Sequence, residues 1–101
     1  MNSLPVGAVV IDANVAIAIS SKEAGREPKA NAELLRYSTA GYLFYAPGAI
    51  VAETLYILCG KLQQGSLTVP EHAQAVLTFE TLMANIITRN APTVTVQVLT
   101  I

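Results

Sequence analysis

Short apolar runs alternate with longer, helix-like periodic segments along the chain. Residues 6–11 form a continuous run rich in Val and Ile, which is typical of a strand buried on both faces of a parallel sheet. Further strands are predicted over 42–46, from the sequence YLFYA, and over 93–101, where valines alternate with polar residues after Pro92. Helical segments separate the strands in pairs, and this order predicts an α/β fold with a mainly parallel sheet.

Four helices are predicted from the spacing of apolar residues and from residues that begin or end helices. Their predicted bounds are 15–21, 30–40, 49–59 and 71–89. Thr68 and Glu71 have the spacing of a capping box at the start of the fourth helix. That helix carries a polar stripe opposite an apolar side, which predicts one buried face. The stripe consists of Gln74, Thr78, Thr81, Asn85 and Thr88.

The composition predicts one small domain, spanning residues 1–101, with more apolar surface than it can bury alone. Hydrophobic residues make up 52% of the 101 residues and charged residues 13%, whereas globular domains carry about 25% charged residues. We therefore expect a partner, or further sequence, to cover part of the surface. The formal net charge of -1 provides no basic field for high-affinity nucleic-acid binding. An enzyme that holds nucleic acid briefly remains compatible with it.

Cysteine content and the N-terminus indicate a cytoplasmic protein. Cys59 is the only cysteine, which excludes a disulfide within the chain and a zinc site built on cysteines. The N-terminal segment has no basic start, and its apolar run stops at Asp12, unlike a signal peptide. The most apolar region, 42–60, contains Pro47 and Glu53 and is not predicted to span a membrane.

Asp12, the only aspartate, lies where the first predicted strand ends. Ligands of open α/β sheets bind beyond the carboxyl ends of the strands, which makes Asp12 a candidate site residue. It can equally cap the following helix. Asn14 is an equally good cap, so this sequence does not need Asp12 for capping.

Glu53 lies in an apolar helical segment without a basic residue at the neighbouring helical positions. A buried carboxylate there would be costly unless it were paired or bound to a cation, whereas a helix edge would leave it in solvent. Together, Asp12 and Glu53 suggest a site for a hard cation, because Mg²⁺ and Mn²⁺ prefer oxygen ligands. Such a cation can activate water and neutralise a phosphodiester.

The remaining charged candidates have simpler explanations. His72 is expected to be solvent-exposed. Glu80 is expected to be a partly exposed surface acid, and a role for it in the site stays open. The cations of the loop 22–29 alternate with glutamates, which is typical of a solvated loop, although contact with phosphate stays open. These cations are Lys22, Arg26 and Lys29.

The segments VVIDANVAIA and YAPGAIVAETLYIL, followed by LTVPEHAQAVL and a strand after Pro92, resemble a PIN domain. That family comprises small metal-dependent ribonucleases, including many toxins of bacterial toxin–antitoxin pairs. The resemblance covers all 101 residues and implies a three-layer α/β sandwich with a mainly parallel central sheet. It also implies that Asp12 and Glu53 bind Mg²⁺ or Mn²⁺, with Asn14 as the small polar residue of the site. An RNA substrate, a homodimer and an antitoxin partner follow from the same resemblance.

One departure from the PIN pattern concerns the C-terminal part. The family's third acid, and commonly a fourth, follow the strand that matches 93–101, yet this sequence has no Asp after Asp12 and no Glu after Glu80. One explanation is a domain that is incomplete at its C-terminus, which the high apolar content favours. The other is a degenerate relative that serves as a binding or regulatory module without catalysis. A third possibility is a toxin whose main contact is an antitoxin peptide in an apolar groove.

Overall fold

Three parallel strands form one sheet at the centre of the fold. In the computed structural model, which describes residues 7–86 and 96–99, strand β1 (Ala8–Ile11) lies between β2 (Leu43–Tyr45) and β3 (Val96–Leu99). Both neighbours run parallel to β1. The predicted parallel α/β sheet is therefore confirmed for these strands. The predicted strand residues 6, 93–95, 100 and 101 lie outside the described residues.

The helices follow the strands in pairs, as predicted. Helices α1 and α2 follow β1, whereas α3 and α4 follow β2. Their bounds are α1 Ala13–Ser20, α2 Glu27–Thr39, α3 Ile50–Gln63 and α4 Val69–Met83. Two predicted ends were wrong. Helix α3 passes through Gly60, and α4 ends at Met83 with a turn after it, while residues 87–89 lie outside the described residues.

The predicted capping box at the start of α4 is confirmed. The backbone N–H of Glu71 donates to Thr68 Oγ1 at 3.3 Å, and the backbone N–H of Thr68 donates to Glu71 Oε1 at 2.8 Å. Thr68 is therefore the N-cap and α4 begins at Val69, two positions before the predicted start. Pro70 fits the first turn because its missing N–H would find no partner within the helix.

Alternate residues of β1 anchor the main core. Val9 and Ile11 are fully buried, and their partners in the sheet include Phe44 and Leu99. Helix α1 packs on this core and contacts all three other helices. The predicted apolar side of α4 contributes the buried Phe79. A smaller cluster joins α3 to α4 through Leu58, Leu67 and Ala75.

Three helices end in the same backbone arrangement. After α1, the N–H of Glu23 donates to the Ala18 carbonyl, and Lys22 takes a φ of 52°. The equivalent position after α2 is Gly41 and after α3 it is Gly65, with φ of 93° and 79°. This Schellman arrangement normally places glycine at the left-handed position. Among the described residues, Lys22 is the only non-glycine residue with a positive φ, and its Cβ makes this conformation sterically unfavourable.

Candidate metal site

Asp12 is placed by the junction between β1 and α1. It follows Ile11 directly, adopts an extended backbone conformation and forms the N-cap of α1. Its Oδ1 accepts a hydrogen bond from the backbone N–H of Val15 at 3.2 Å. The side chain is half-buried. A carboxylate has about four acceptor positions, so this one bond leaves acceptor capacity for a cation.

The structure corrects the capping argument made from the sequence. Asp12 forms the cap, whereas Asn14 lies inside α1 as its second residue and is exposed to solvent. The physical reason is the extended conformation of Asp12, which turns its carboxylate toward the free N–H groups of the first turn. Asp12 therefore caps α1, and Asn14 contributes nothing to the cap.

Glu53 lies in the helix that follows β2. It is the fourth residue of α3, and its side chain is exposed. Of the two alternatives that the sequence left open, a buried carboxylate or one at a helix edge in solvent, the structure shows the second, because α3 buries only Ile50, Thr54 and Leu58. Glu53 therefore needs no cation to offset desolvation, and it is free to enter a solvent-exposed site.

The two acids follow strands whose carboxyl ends lie at the same edge of the sheet. Strands β1 and β2 are parallel neighbours in the register Val10 with Tyr45, so their carboxyl ends lie side by side. Asp12 follows one strand directly, and Glu53 lies in the helix that follows the other. This is the edge at which α/β proteins bind ligands.

The two candidate ligands are carboxylates, and magnesium prefers oxygen ligands. Mg²⁺ typically takes one or two carboxylates and keeps several waters. Within residues 7–86 and 96–99, no group of three or more His, Cys, Asp or Glu side chains is arranged to hold a metal ion. Two carboxylates alone do not make a closed metal site.

The other predicted candidates belong to no group of three or more metal-ligating side chains among the described residues. Glu80 is exposed on α4, as expected of a surface acid. His72 is half-buried in the first turn of α4, which is less exposed than the sequence predicted. Lys22 and Lys29 are exposed, as predicted for a solvated segment, but α2 already begins at Glu27.

An ion cluster that the sequence did not reveal ties the α1–α2 connection to α3. Lys61 Nζ lies 3.2 Å from Glu23 Oε2, and Arg26 Nη1 lies 3.5 Å from Glu23 Oε1. The Glu23 and Lys61 side chains are each only 23% exposed. Glu23 and Lys61 are far apart in the sequence, and no local spacing rule could have paired them.

An apolar groove opens between α2 and α4. It has a volume of about 240 Å³, and apolar side chains dominate its lining. The lining residues are Ile11, Leu34, Leu35, Ser38, Phe44, Leu82, Asn85 and Ile86. Leu35 at its margin is 68% exposed.

No helix in the described part of the chain is long and apolar enough to cross a membrane. Comparison of the chain with protein-family models, with curated proteins and with solved structures finds no match.

Proposed function

We propose that this protein is a metal-dependent endoribonuclease of the PIN type that hydrolyses RNA phosphodiesters with Mg²⁺ or Mn²⁺. The observation that carries the proposal is the position of Asp12 and Glu53 after two neighbouring parallel strands. Carboxylates at that edge provide oxygen ligands where α/β folds bind substrates. The sequence resemblance to PIN domains names the same two acids.

Each site residue has a distinct role in this proposal. Asp12 is held by its bond to Val15, so its carboxylate is oriented before a cation arrives. Glu53 is exposed and contributes a second carboxylate from α3. Asn14, exposed in the first turn of α1, is a polar group able to hydrogen-bond the substrate. When bound, the divalent cation supplies charge that neutralises the phosphodiester and activates the attacking water.

The finer description of the fold belongs to the same proposal. We propose a PIN-like three-layer sandwich for the domain spanning residues 1–101, in the cytoplasm. The parallel sheet with paired helices between its strands supports it. Sheets of this kind are normally covered on both faces, and Leu43 of β2 is 40% exposed here. A further layer or a partner would cover that side chain.

The proposed partners are RNA, an antitoxin protein and a second copy of the chain. The α2–α4 groove supports an antitoxin contact, because an apolar groove of this size accepts the large apolar side chains of a peptide. Exposed apolar residues on α3 support a homodimer. The proposed site for RNA is the edge that carries Asp12 and Glu53.

A second candidate function is a PIN-like binding or regulatory module without catalysis. The observation that favours it is the lack of any cluster of three or more metal-ligating side chains among residues 7–86 and 96–99. The capping role of Asp12 also gives that residue a structural reason to be present.

Mn²⁺ binding and RNA cleavage by the 101-residue chain separate the two functions. The enzyme predicts weak Mn²⁺ binding by calorimetry and slow cleavage, both abolished by Asp12→Asn and reduced by Glu53→Gln. Glu80→Gln is the matched control, because it removes an exposed acid of α4 and is expected to change neither quantity. A folded chain that neither binds Mn²⁺ nor cleaves RNA would favour the binding module.

A further inference from the structure

A small cavity lies where the end of α1 meets the start of α4, and we call it the α1–α4 cavity. Its volume is about 230 Å³. Two of its lining residues, Leu67 and Ala75, are buried and apolar. The others are polar: Ser20, Ser21 and Lys22 from the end of α1, and Glu71 and Gln74 from α4. An apolar surface with a few polar groups around it is the usual composition of a ligand site.

Two residues of the α1–α4 cavity have features that the fold does not require. Lys22 takes a φ of 52°, where the ends of α2 and α3 have Gly41 and Gly65. Ser20 is only 2% exposed, and its Oγ has no hydrogen-bond partner among the described residues. Strained backbone clusters at functional sites, and an unpartnered buried hydroxyl calls for an explanation of its own. Because both features occur in one cavity, they indicate a binding site.

The polar side chains on the two walls of the cavity are available to a ligand. No ion pair or side-chain hydrogen bond joins Lys22 or Gln74 to another described residue. Glu71 accepts the Thr68 N–H through Oε1, which leaves Oε2 as an acceptor. Glu71 and Gln74 are three residues apart on α4, so they lie on one side of the helix about 5–6 Å apart.

We propose that the α1–α4 cavity binds one ribonucleotide of the substrate, with its phosphate on Lys22, a ribose hydroxyl on Glu71 and its base edge on Gln74. Carboxylates accept hydrogen bonds from ribose hydroxyls in nucleotide-binding folds, and a glutamine amide pairs well with the edge of adenine. The apolar faces of a base suit Leu67 and Ala75. A bare anion suits the cavity less well, because the Glu71 carboxylate would repel it. The choice of a ribonucleotide rests on the proposed RNA function.

The α1–α4 cavity is separate from the proposed metal site. Ser20 is the last residue of α1 and Asp12 is its N-cap, so they lie about 12 Å apart along the helix axis. The nucleotide bound there is therefore a neighbour of the one that is cleaved. The 2′-hydroxyl is the group by which proteins distinguish RNA from DNA. A carboxylate that accepts from it would make this protein select RNA.

The test is a nuclear magnetic resonance titration of the 101-residue chain with adenosine 5′-monophosphate, in EDTA so that no divalent cation takes part. We expect chemical-shift changes at residues 20–22 and 71–75. The dissociation constant should be about 10-fold higher for the 2′-deoxy nucleotide, and about 10-fold higher for adenosine, which lacks the phosphate.

Two variants assign the contacts. Lys22→Gln should raise the dissociation constant of the nucleotide about 10-fold and leave that of adenosine unchanged. Glu71→Gln keeps the capping box, because glutamine also serves at that position. It should reduce the preference for ribose over deoxyribose to about threefold, since a neutral acceptor forms a weaker hydrogen bond than a carboxylate.

Lys29→Gln is the matched control, since Lys29 is an exposed lysine of α2 that does not line the cavity. It should change neither dissociation constant. An equal loss of affinity in Lys29→Gln and Lys22→Gln overturns the proposal, as does inorganic phosphate that binds as tightly as the nucleotide, because both show a general attraction of anions.

A folded chain that shows no shift changes with the nucleotide at up to about 10 mM also overturns the proposal, since one subsite with three polar contacts should bind in the millimolar range. Mn²⁺ binding and RNA cleavage are measured separately, so this failure would leave the proposed nuclease standing. Nucleotide binding without Mn²⁺ binding or cleavage would support the cavity and favour an RNA-binding module over the enzyme.

Discussion

Oδ1 of Asp12 accepts a hydrogen bond from the backbone N–H of Val15 at 3.2 Å, and this bond fixes the carboxylate at the start of α1. Asp12 therefore has a structural role beside its proposed metal-binding role. The two roles require different chemistry. Capping needs an acceptor oxygen of suitable reach, whereas a divalent cation needs negative charge. Substitutions at this one position can separate them.

We expect Asp12→Asn to keep the fold and lose the metal. Asparagine caps helices about as well as aspartate, so the free energy of unfolding in urea should change by less than about 0.5 kcal/mol. Asp12→Ala removes the cap and should cost about 1 kcal/mol. Calorimetry should detect Mn²⁺ binding in neither variant.

Asn14→Ala is the stability control, because Asn14 is exposed inside α1 and caps nothing. If Asp12→Asn and Asp12→Ala lowered stability equally, the Val15 bond would contribute little and the charge itself would be the stabilising feature.

Lys22 and Gly65 occupy the same position of two helix ends, and their substitution should have opposite effects. Lys22→Gly relieves a left-handed conformation that costs a non-glycine residue about 1–2 kcal/mol. Added chain entropy offsets part of this gain, so we expect a net stabilisation of up to about 1 kcal/mol in urea unfolding. Gly65→Ala introduces the same strain and should destabilise by about 1 kcal/mol.

Gly65→Ala tests backbone conformation alone. A Cβ at this position meets nothing within 4 Å, so the left-handed conformation is the only source of destabilisation. A clear loss of stability in Lys22→Gly would show instead that the lysine side chain or its charge at the end of α1 outweighs the strain.

Hydrophobic periodicity and capping rules predicted the order of strands and helices, because both kinds of rule depend on residues that are close together in sequence. Thr68 and Glu71 are an example: their spacing alone specified the cap that the structure contains. Helix α3 shows the limit of this approach. A helix that is apolar nearly all round is usually buried, yet Tyr56 is 78% exposed. Sequence pattern alone cannot say which apolar face a domain leaves for a partner.

The candidate site was predictable in part for the same reason. Asp12 at a strand end follows from local pattern, and the parallel pairing of β1 with β2 is the feature on which the proposed meeting of Asp12 and Glu53 depends. The link between Glu23 and Lys61 depends on how α1, α2 and α3 pack. Because no local rule connects those positions, only the folded structure reveals it.

The capping box should make stability depend on pH at the acidic end. The backbone N–H of Thr68, followed by its hydroxyl, lowers the pKa of Glu71 below its ordinary value of 4.5. The folded-state pKa is thus below the unfolded one. The contribution of the ionised Glu71 carboxylate to the free energy of unfolding is fully present above the unfolded-state pKa. It is lost as pH falls through the folded-state pKa.

Urea unfolding of wild type and Glu71→Gln across this acidic range checks the prediction. Glutamine keeps an acceptor oxygen but cannot ionise, so the difference between the two proteins should shrink as pH falls. Thr68→Ala should cost about 1 kcal/mol at neutral pH through loss of the cap. A constant difference between wild type and Glu71→Gln at every pH would contradict a charge-dependent cap.

Thr54 provides a test of how α3 packs on the rest of the domain. Its side chain is fully buried, and Oγ1 has no hydrogen-bond partner among the described residues. A buried polar group without a partner costs about 1–3 kcal/mol. Valine has nearly the same shape without the hydroxyl. Thr54→Val should therefore raise the free energy of unfolding by about 1 kcal/mol.

Thr78→Val is the matched control on α4, because the Thr78 hydroxyl is less buried and donates to the Gln74 carbonyl of its own helix at 3.0 Å. It should change stability by less than about 0.5 kcal/mol. A loss of stability in Thr54→Val would mean that Oγ1 bonds a group outside the described residues. That hydrogen bond would then hold α3 on the domain together with the buried side chains of Ile50 and Leu58.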